Sequence, residues 1–410
     1  MFSLERIERL GNINGICYEP TPSDVIAKGF APNCFDPSSC RDFDMDYFNA
    51  DFAGLWGPSG RNDLGNIRSQ HVNLMRIYNW SGNENGGTPL RNHMPYLDYC
   101  GNLGLGTMVP FSNYNATISP SSAQNSARSI VRELAQGGRL HPAVKMWQVT
   151  NEFELSGGAI KPEDVARLAE YIVQAEETSG ITADENKVPI VVSVSTATQY
   201  GVPGQSMGQI EALRFAFITG GTLPDGTKVT GNDFLNERAV WEERFILGVQ
   251  SFQFLDEIAN FVQAVWNKYE SEVPIILTEH GFDSVSAAKT GPPFPGNQGS
   301  HDEANQARIV GRQIANTKKT RGSYAIFRGM CFFQWLNTYY KCGKVEGNQA
   351  RYDNTCTEAN FGEVEWNDFG AARPTPAKTG RTTKGQTYPI DEAKQKSAVY
   401  QAVTDGFGSP

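Results

Sequence analysis

A single-domain (β/α)8 TIM barrel, an α/β fold, is what this 410-residue chain predicts. Three observations predict it. Apolar runs bounded by Gly, Pro and Asn number about eight, as a closed parallel barrel requires. Most are continuous rather than alternating, the pattern of strands covered by helices on both faces. Helical patterns separate them, and strand and helix alternate through the whole chain, which favours one barrel over two domains.

The strand candidates are 13–18, 72–78, 106–111, 144–150, 189–195, 245–252, 273–279 and 329–336. A helix is expected over 162–180, with Pro162 in its first turn, Val165, Leu168, Ala169, Ile172 and Val173 on one face, and Gly180 as a stop. Segment 256–269 repeats the spacing with Ile258, Phe261, Val262, Val265 and Tyr269, and 302–317 repeats it with Ala307, Val310 and Ile314. A last helix is expected over 391–403. Two stretches exceed simple connections: 199–243, with a helix around 209–217, and 339–389. The domain reading is one catalytic barrel over 1–410, with 340–389 a long loop on the C-terminal face and 390–410 the last helix and tail. The Pro, Thr and Lys-rich stretch 373–384 reads as an exposed loop.

A net charge of -9 argues against nucleic acid or an anionic membrane as partner, because both are bound through basic surfaces. The chain has no apolar run of about 18 residues, the length that spans a membrane. Its first residues lack the basic and apolar regions of a secretory signal, so a place outside the cell or on its surface is expected only if a signal has been removed. Of seven cysteines, Cys34 with Cys40 and Cys342 with Cys356 have spacings that suit short disulfides or reduced thiols. Cys17, Cys100 and Cys331 fit buried, inert thiols. Asn115-Ala116-Thr117 is a glycosylation sequon. His71, His93, His141, His280 and His301 show no metal-ligand spacing, and neither a phosphate-binding Gly loop nor a Gly-x-Ser-x-Gly elbow occurs. No metal or cofactor is expected.

Two runs end abruptly in glutamate: Trp147 to Glu152 on the fourth strand and Pro274 to Glu279 on the seventh. Cleavage of a glycosidic bond with retention needs two carboxyls about 5 to 5.5 Å apart. Strict alternation would put Gln148, Thr150 and Glu152 on one face, with Glu152 at the barrel rim. Glu154 competes with Glu152, as His280 and Asp283 compete with Glu279, and each glutamate alone could be a solvated residue, a cap or an arginine partner. Sugar rings stack on aromatic faces. Tyr18, Tyr78, Trp80, Phe111, Tyr114, Trp335 and Tyr339 all fall at or just after strand ends.

Asn151-Glu152 closing the fourth strand and Glu279 closing the seventh resemble the retaining glycoside hydrolases of clan A, which are (β/α)8 barrels. Gly15-Ile16-Cys17-Tyr18-Glu19-Pro20-Thr21-Pro22, Arg61-Asn62-Asp63-Leu64 and Val72-Asn73-Leu74-Met75-Arg76-Ile77-Tyr78 resemble the fungal cell-wall β-1,3-glucanosyltransferases of glycoside hydrolase family 72 and, more distantly, the β-1,3-glucanases of family 17. The resemblance implies that Glu152 is the acid/base, Glu279 the nucleophile, Asn151 the residue that holds the sugar 2-hydroxyl, Arg76 the cation beside the nucleophile and Trp335 the platform under the cleaved sugar. It implies a retaining hydrolase or transglycosidase that takes an oligosaccharide or polysaccharide, a β-1,3-glucan first. A monomer is expected, with no sequence feature that sets the oligomeric state. A β-mannanase or other β-1,4-glycanase, and a non-catalytic carbohydrate-binding barrel, are the alternatives. The clan's tyrosine on the sixth strand is replaced here by Gln250-Ser251-Phe252-Gln253-Phe254, so one contact to Glu279 is expected to be weaker. The cysteine-rich C-terminal module of the transferases has no counterpart.

Overall fold

A computed structural model of the chain describes residues 10–22, 46–81, 91–195, 203–252, 257–269, 273–286, 300–338, 343–346, 349–352, 360–366, 376–383 and 385–409. Eight strands close a parallel barrel in chain order: β1 (Ile13–Cys17), β2 (Leu74–Arg76), β3 (Gly106–Phe111), β4 (Val144–Asn151), β5 (Ile190–Ser195), β6 (Phe245–Gln250), β7 (Ile275–His280) and β8 (Phe327–Phe332), which returns to β1. A helix follows each in turn: α1 (Asp63–Ser69), α2 (Met94–Leu103), α3 (Pro120–Leu134), α4 (Pro162–Thr178), α5 (Pro203–Phe217), α6 (Glu257–Tyr269), α7 (Glu303–Ser323) and α8 (Ser397–Gly408).

The inner core takes residues from every strand: Ile13, Leu74, Met108, Met146, Val191, Ile246, Ile276 and Cys331 fill the barrel. Their outward neighbours, such as Met75, Val109, Trp147, Val192 and Leu247, belong to the outer core under the helices. This double coverage is why the strands read as unbroken apolar runs. At Gly15, opposite Cys331 across β1 and β8, a Cβ would lie 2.5 Å from the Cys331 Sγ, so only glycine allows the strands to approach this closely.

Local signals place the helices. Ser119 caps α3 by accepting the N–H of Ser122, and Pro120 occupies its first turn. In α4 the expected face, Val165, Leu168, Ala169, Ile172 and Val173, is buried. The expected helix at 302–317 runs on to Ser323, and the one around 209–217 begins at Pro203. The last helix is displaced. Asp391 ends the strand Thr387–Asp391, the next residues form the strand Ala393–Gln395, and α8 starts only at Ser397.

The 340–389 stretch is not the plain loop expected: its described parts include strands. Gly343–Glu346 pairs with Gln349–Tyr352, Pro376–Arg381 with Thr387–Asp391, and Val364–Trp366 with Ala393–Gln395, all antiparallel. The 373–384 composition suggested an exposed loop, but the turn beyond it, with Gly385 at φ +83° and its N–H on the Thr382 carbonyl, returns a strand that completes the pairing. Among the described residues, no helix is long and apolar enough to cross a membrane. Cys17, Cys100 and Cys331 are buried free thiols. Burial pushes the Cys17 and Cys100 thiols up to about 12. Cys34, Cys40, Cys342 and Cys356 lie outside the described residues.

β4, which ends at the site, is fixed from behind by a buried ion pair. The Arg244 guanidinium reaches both oxygens of Glu176 on α4, at 2.7 and 2.9 Å, and the Trp147 indole N–H donates to the same carboxylate at 2.7 Å. Both charged side chains are almost fully buried. Removing one member of such a pair strands the other charge in a medium that cannot solvate it. Glu176→Ala is expected to lower the unfolding free energy by about 3 to 5 kcal/mol, measured by urea denaturation. A loss under about 1 kcal/mol would show that the pair contributes no more than a surface one.

Candidate active site

Arg76 ends β2 with its guanidinium fully buried, and a buried cation needs hydrogen-bond partners. Its Nε donates to Gln148 Oε1 at 3.2 Å, Nη2 to Asn151 Oδ1 at 2.5 Å, and Nη1 to Glu279 Oε1, with the Cys17 Sγ at 3.7 Å. The Tyr78 ring lies against it, 4.3 Å from guanidinium carbon to ring centroid. One side chain therefore ties β1, β4 and β7 together at the mouth of the barrel.

Glu279, 5% exposed, accepts a second hydrogen bond on Oε1 from the Tyr78 hydroxyl at 3.0 Å. The sixth-strand tyrosine was expected to be missing, with a weaker hold on Glu279. The hydroxyl instead arrives from just past β2, while Gln250 of β6 donates to Asn151 Oδ1. The rivals of Glu279 are engaged elsewhere. His280 donates from Nδ1 to the Ser251 carbonyl, and burial lowers it to about 4, so the ring is neutral. Asp283 accepts the N–H of Val285 at 2.8 Å.

The end of β4 departs from the simple alternation expected. Pairing with β5 shifts register between Val149 and Asn151, and Thr150 and Glu152 adopt left-handed backbones at φ +60° and +44°. A bulge of this kind re-aims side chains at a barrel rim. Thr150 is buried, with its hydroxyl on the Val149 carbonyl, and does not share the site-facing side with Gln148; Asn151 does. Asn151 is clasped to Asn113, whose amide accepts the Asn151 N–H and donates to its carbonyl, both at 2.7 Å. Because arginine can only donate, the Asn151 amide oxygen must face Arg76, which leaves its NH2 free for another acceptor.

Glu152 is half-buried at this rim, and its backbone N–H donates to the Ser193 carbonyl at 3.0 Å. Burial, then the charges of Glu279 and Glu154, push its carboxyl up to about 8, against a hydrogen bond from the Ser195 side chain and the pull of Arg76. The two glutamates are thus electrically unlike: Glu279 rests on a guanidinium, and Glu152 faces other carboxyls. Burial also lifts Glu154, up to about 7.

The expected aromatic lining is only partly at the site. Tyr18 is buried with its hydroxyl on Asp63 at 2.9 Å, Trp80 is buried and stacked on His93 at 4.0 Å, and Phe111 packs on Trp147. Trp335 lies beyond β8, buried on the outer side against Tyr400 of α8, so it presents no face to the mouth. Tyr114 is exposed on the turn that begins at Asn113, beside Asn151, and Tyr339 lies outside the described residues. The aromatic group that continues the inner core is Phe252, Phe333 and Phe361, with centroids 5.3 to 5.4 Å apart and edges turned to faces. Phe333 directly follows β8 and Phe252 comes two residues after the end of β6 at Gln250, positions near strand ends that the sequence makes visible. Phe361 comes from the segment after β8 and had none.

No family model matches the chain, and no curated protein matches its sequence. Solved structures resemble it in fold. A β-glucosidase from Thermotoga maritima aligns with a TM-score of 0.57 at 11% identity, over 98% of this chain and 99% of its own. A GH2 β-galacturonidase from Eisenbergiella tayi gives 0.48 at 14% identity, over 98% of this chain and 51% of its own, so the present chain spans about half its length. Gas2p of Saccharomyces cerevisiae, solved with laminaritetraose and laminaripentaose, gives 0.46 at 11% identity, over 97% and 64%. These neighbours are glycoside hydrolases, and the likeness to the first shows that the fold is the (β/α)8 barrel.

The raised Glu152 carboxyl has a consequence for stability. A folded value of about 8 against about 4.5 unfolded means the folded state binds more protons between these limits, so this contribution is present below pH 4.5 and lost as pH rises through 8. Glu152→Gln removes the ionisable group. It is expected to raise the unfolding free energy at pH 9 by about 1 to 3 kcal/mol with little change at pH 4.5, as read from urea midpoints. Equal effects at both pH values would contradict the assignment.

Proposed function

We propose that this protein is a retaining glycoside hydrolase or transglycosidase that acts on a β-glucan, with Glu152 as acid/base and Glu279 as nucleophile. The observation that carries the reading is the meeting at one barrel mouth of a carboxyl bound by Arg76 and Tyr78 with a second carboxyl, that of Glu152, which burial and neighbouring carboxyls push up to about 8. Protonated Glu152 gives its proton to the glycosidic oxygen as Glu279 attacks the anomeric carbon; the C–O bond breaks, the alcohol leaves, and a glycosyl-enzyme remains. Glu152, now ionised, takes a proton from water or a sugar hydroxyl, whose oxygen displaces Glu279 with a second inversion. The Asn151 NH2 is the group proposed to hold the sugar 2-hydroxyl. Arg76 positions Asn151 and Glu279 together, and Tyr114 is the exposed ring available to stack on a sugar.

The β-1,3 linkage, and the single-domain reading of 1–410, rest on the sequence: the segments around Tyr18, Arg61 and Arg76 carry the resemblance to the β-1,3-glucanosyltransferases. Chain-length analysis of products from laminari-oligosaccharides tests this reading. Shorter products, or shorter and longer ones together, should form with the wild type and vanish with Glu279→Ala. Longer products mean transfer, and shorter ones alone mean hydrolysis. No turnover of laminarin, mannan or cellulose would overturn the enzymatic reading.

General acid catalysis contributes about 10²- to 10⁴-fold, so Glu152→Gln should lower kcat by that factor on unactivated substrates. The wild-type kcat/KM should fall as pH rises through about 8, where the free enzyme loses the Glu152 proton. A profile flat from pH 6 to 10 would exclude Glu152 as the acid.

A further inference from the structure

Glu154 sits two residues past Glu152, in the turn Phe153–Ser156, and no step above uses it. Its carboxyl is nevertheless tightly placed. Oε1 accepts the backbone N–H of Ser195, the last residue of β5, and Oε2 is buried with no hydrogen-bond partner among the described residues. A solvated surface glutamate would not leave an acceptor oxygen dry, because such burial costs free energy and is rare without a reason. Ser195 also hydrogen-bonds Glu152 through its side chain. One residue at the end of β5 thus joins both carboxyls, Glu154 through its amide and Glu152 through its hydroxyl.

We infer that Glu154 is a positioning residue for Glu152: its negative charge, fixed in place by Ser195, helps to retain the proton that Glu152 donates. The inference rests on the proposed acid/base role of Glu152. The charged groups that act on Glu152 are Glu279 from β7, Glu154 from its own turn and Arg76 from β2. The neighbouring strand ends contribute the uncharged Asn113, Ser195 and Gln250. Burial lifts Glu154 to about 7, so its charge develops as pH passes neutrality, the range in which Glu152 would otherwise lose its proton. The Ser195 hydroxyl acts in the opposite sense, since a hydrogen bond to a carboxylate favours the ionised form. Two contacts of opposite sign therefore meet at Glu152.

The test is a carboxyl-carbon NMR titration of protein labelled at glutamate, with Glu152 assigned by its loss in Glu152→Gln. Glu154→Gln should lower the Glu152 midpoint by roughly one pH unit, and Ser195→Ala should raise it. Glu154→Ala also removes the charge and is read in parallel, so that one poorly folded variant does not decide the matter. A structural role alone would not move the midpoint in opposite directions in the two kinds of variant. In the active enzyme the alkaline limb of kcat/KM should move with the midpoint. An unmoved midpoint in a folded charge-removing variant overturns the inference. A wild type inactive on every β-glycan would remove the proposed function, while the titration still measures the coupling directly.

Discussion

The buried guanidinium of Arg76 is the constraint on which the site depends. A fully desolvated cation is tolerable only where its donors find acceptors and its charge a counter-charge. Here Gln148 and Asn151 come from β4 and the counter-charge from Glu279 on β7. These strands are not neighbours, since β5 and β6 lie between them, so the interaction fixes their ends relative to each other. It also sets the orientation of the Asn151 amide, because a guanidinium cannot accept.

That constraint divides the carboxyls. Glu279 lies where positive charge and a phenol hydroxyl converge, and Glu152 lies where burial and two negative charges do. A pair of like groups with unlike surroundings is what a double displacement needs, since one must attack while the other still holds a proton. The bulge at the end of β4 makes the arrangement possible. Its two left-handed residues turn Asn151 toward Arg76 and keep Glu152 at the rim, an arrangement that a regular strand of period two would not give.

The scaffold behind the site is built to resist movement. Glu176 and Arg244 anchor β4 from the helix layer through the Trp147 indole, and the inner core draws residues from every strand. The described strands after β8 pair among themselves and with the chain just ahead of α8, and Phe361 from that segment completes an aromatic group with Phe252 and Phe333. The aromatic group that continues the inner core is therefore assembled from distant parts of the chain.

The sequence by itself determined the barrel and the ends of its fourth and seventh strands. Strands covered on both faces are continuous apolar runs, and the charged residue that stops each run is visible without knowing its neighbours. The buried faces of α4 and α7 follow from equally local rules of spacing. Side-chain direction past a strand end was decided only by the tertiary structure. Trp335 and Tyr18 stand at such ends but turn into the outer packing, and Tyr78 supplies to Glu279 a hydroxyl that β6 lacks. Pairing in the stretch after β8 was also hidden, because a strand defined by its partner has no signature of its own when its composition reads as loop. The proton affinity of Glu152 depends on groups from β2, β5 and β7 brought together in space, and no local pattern encodes that sum.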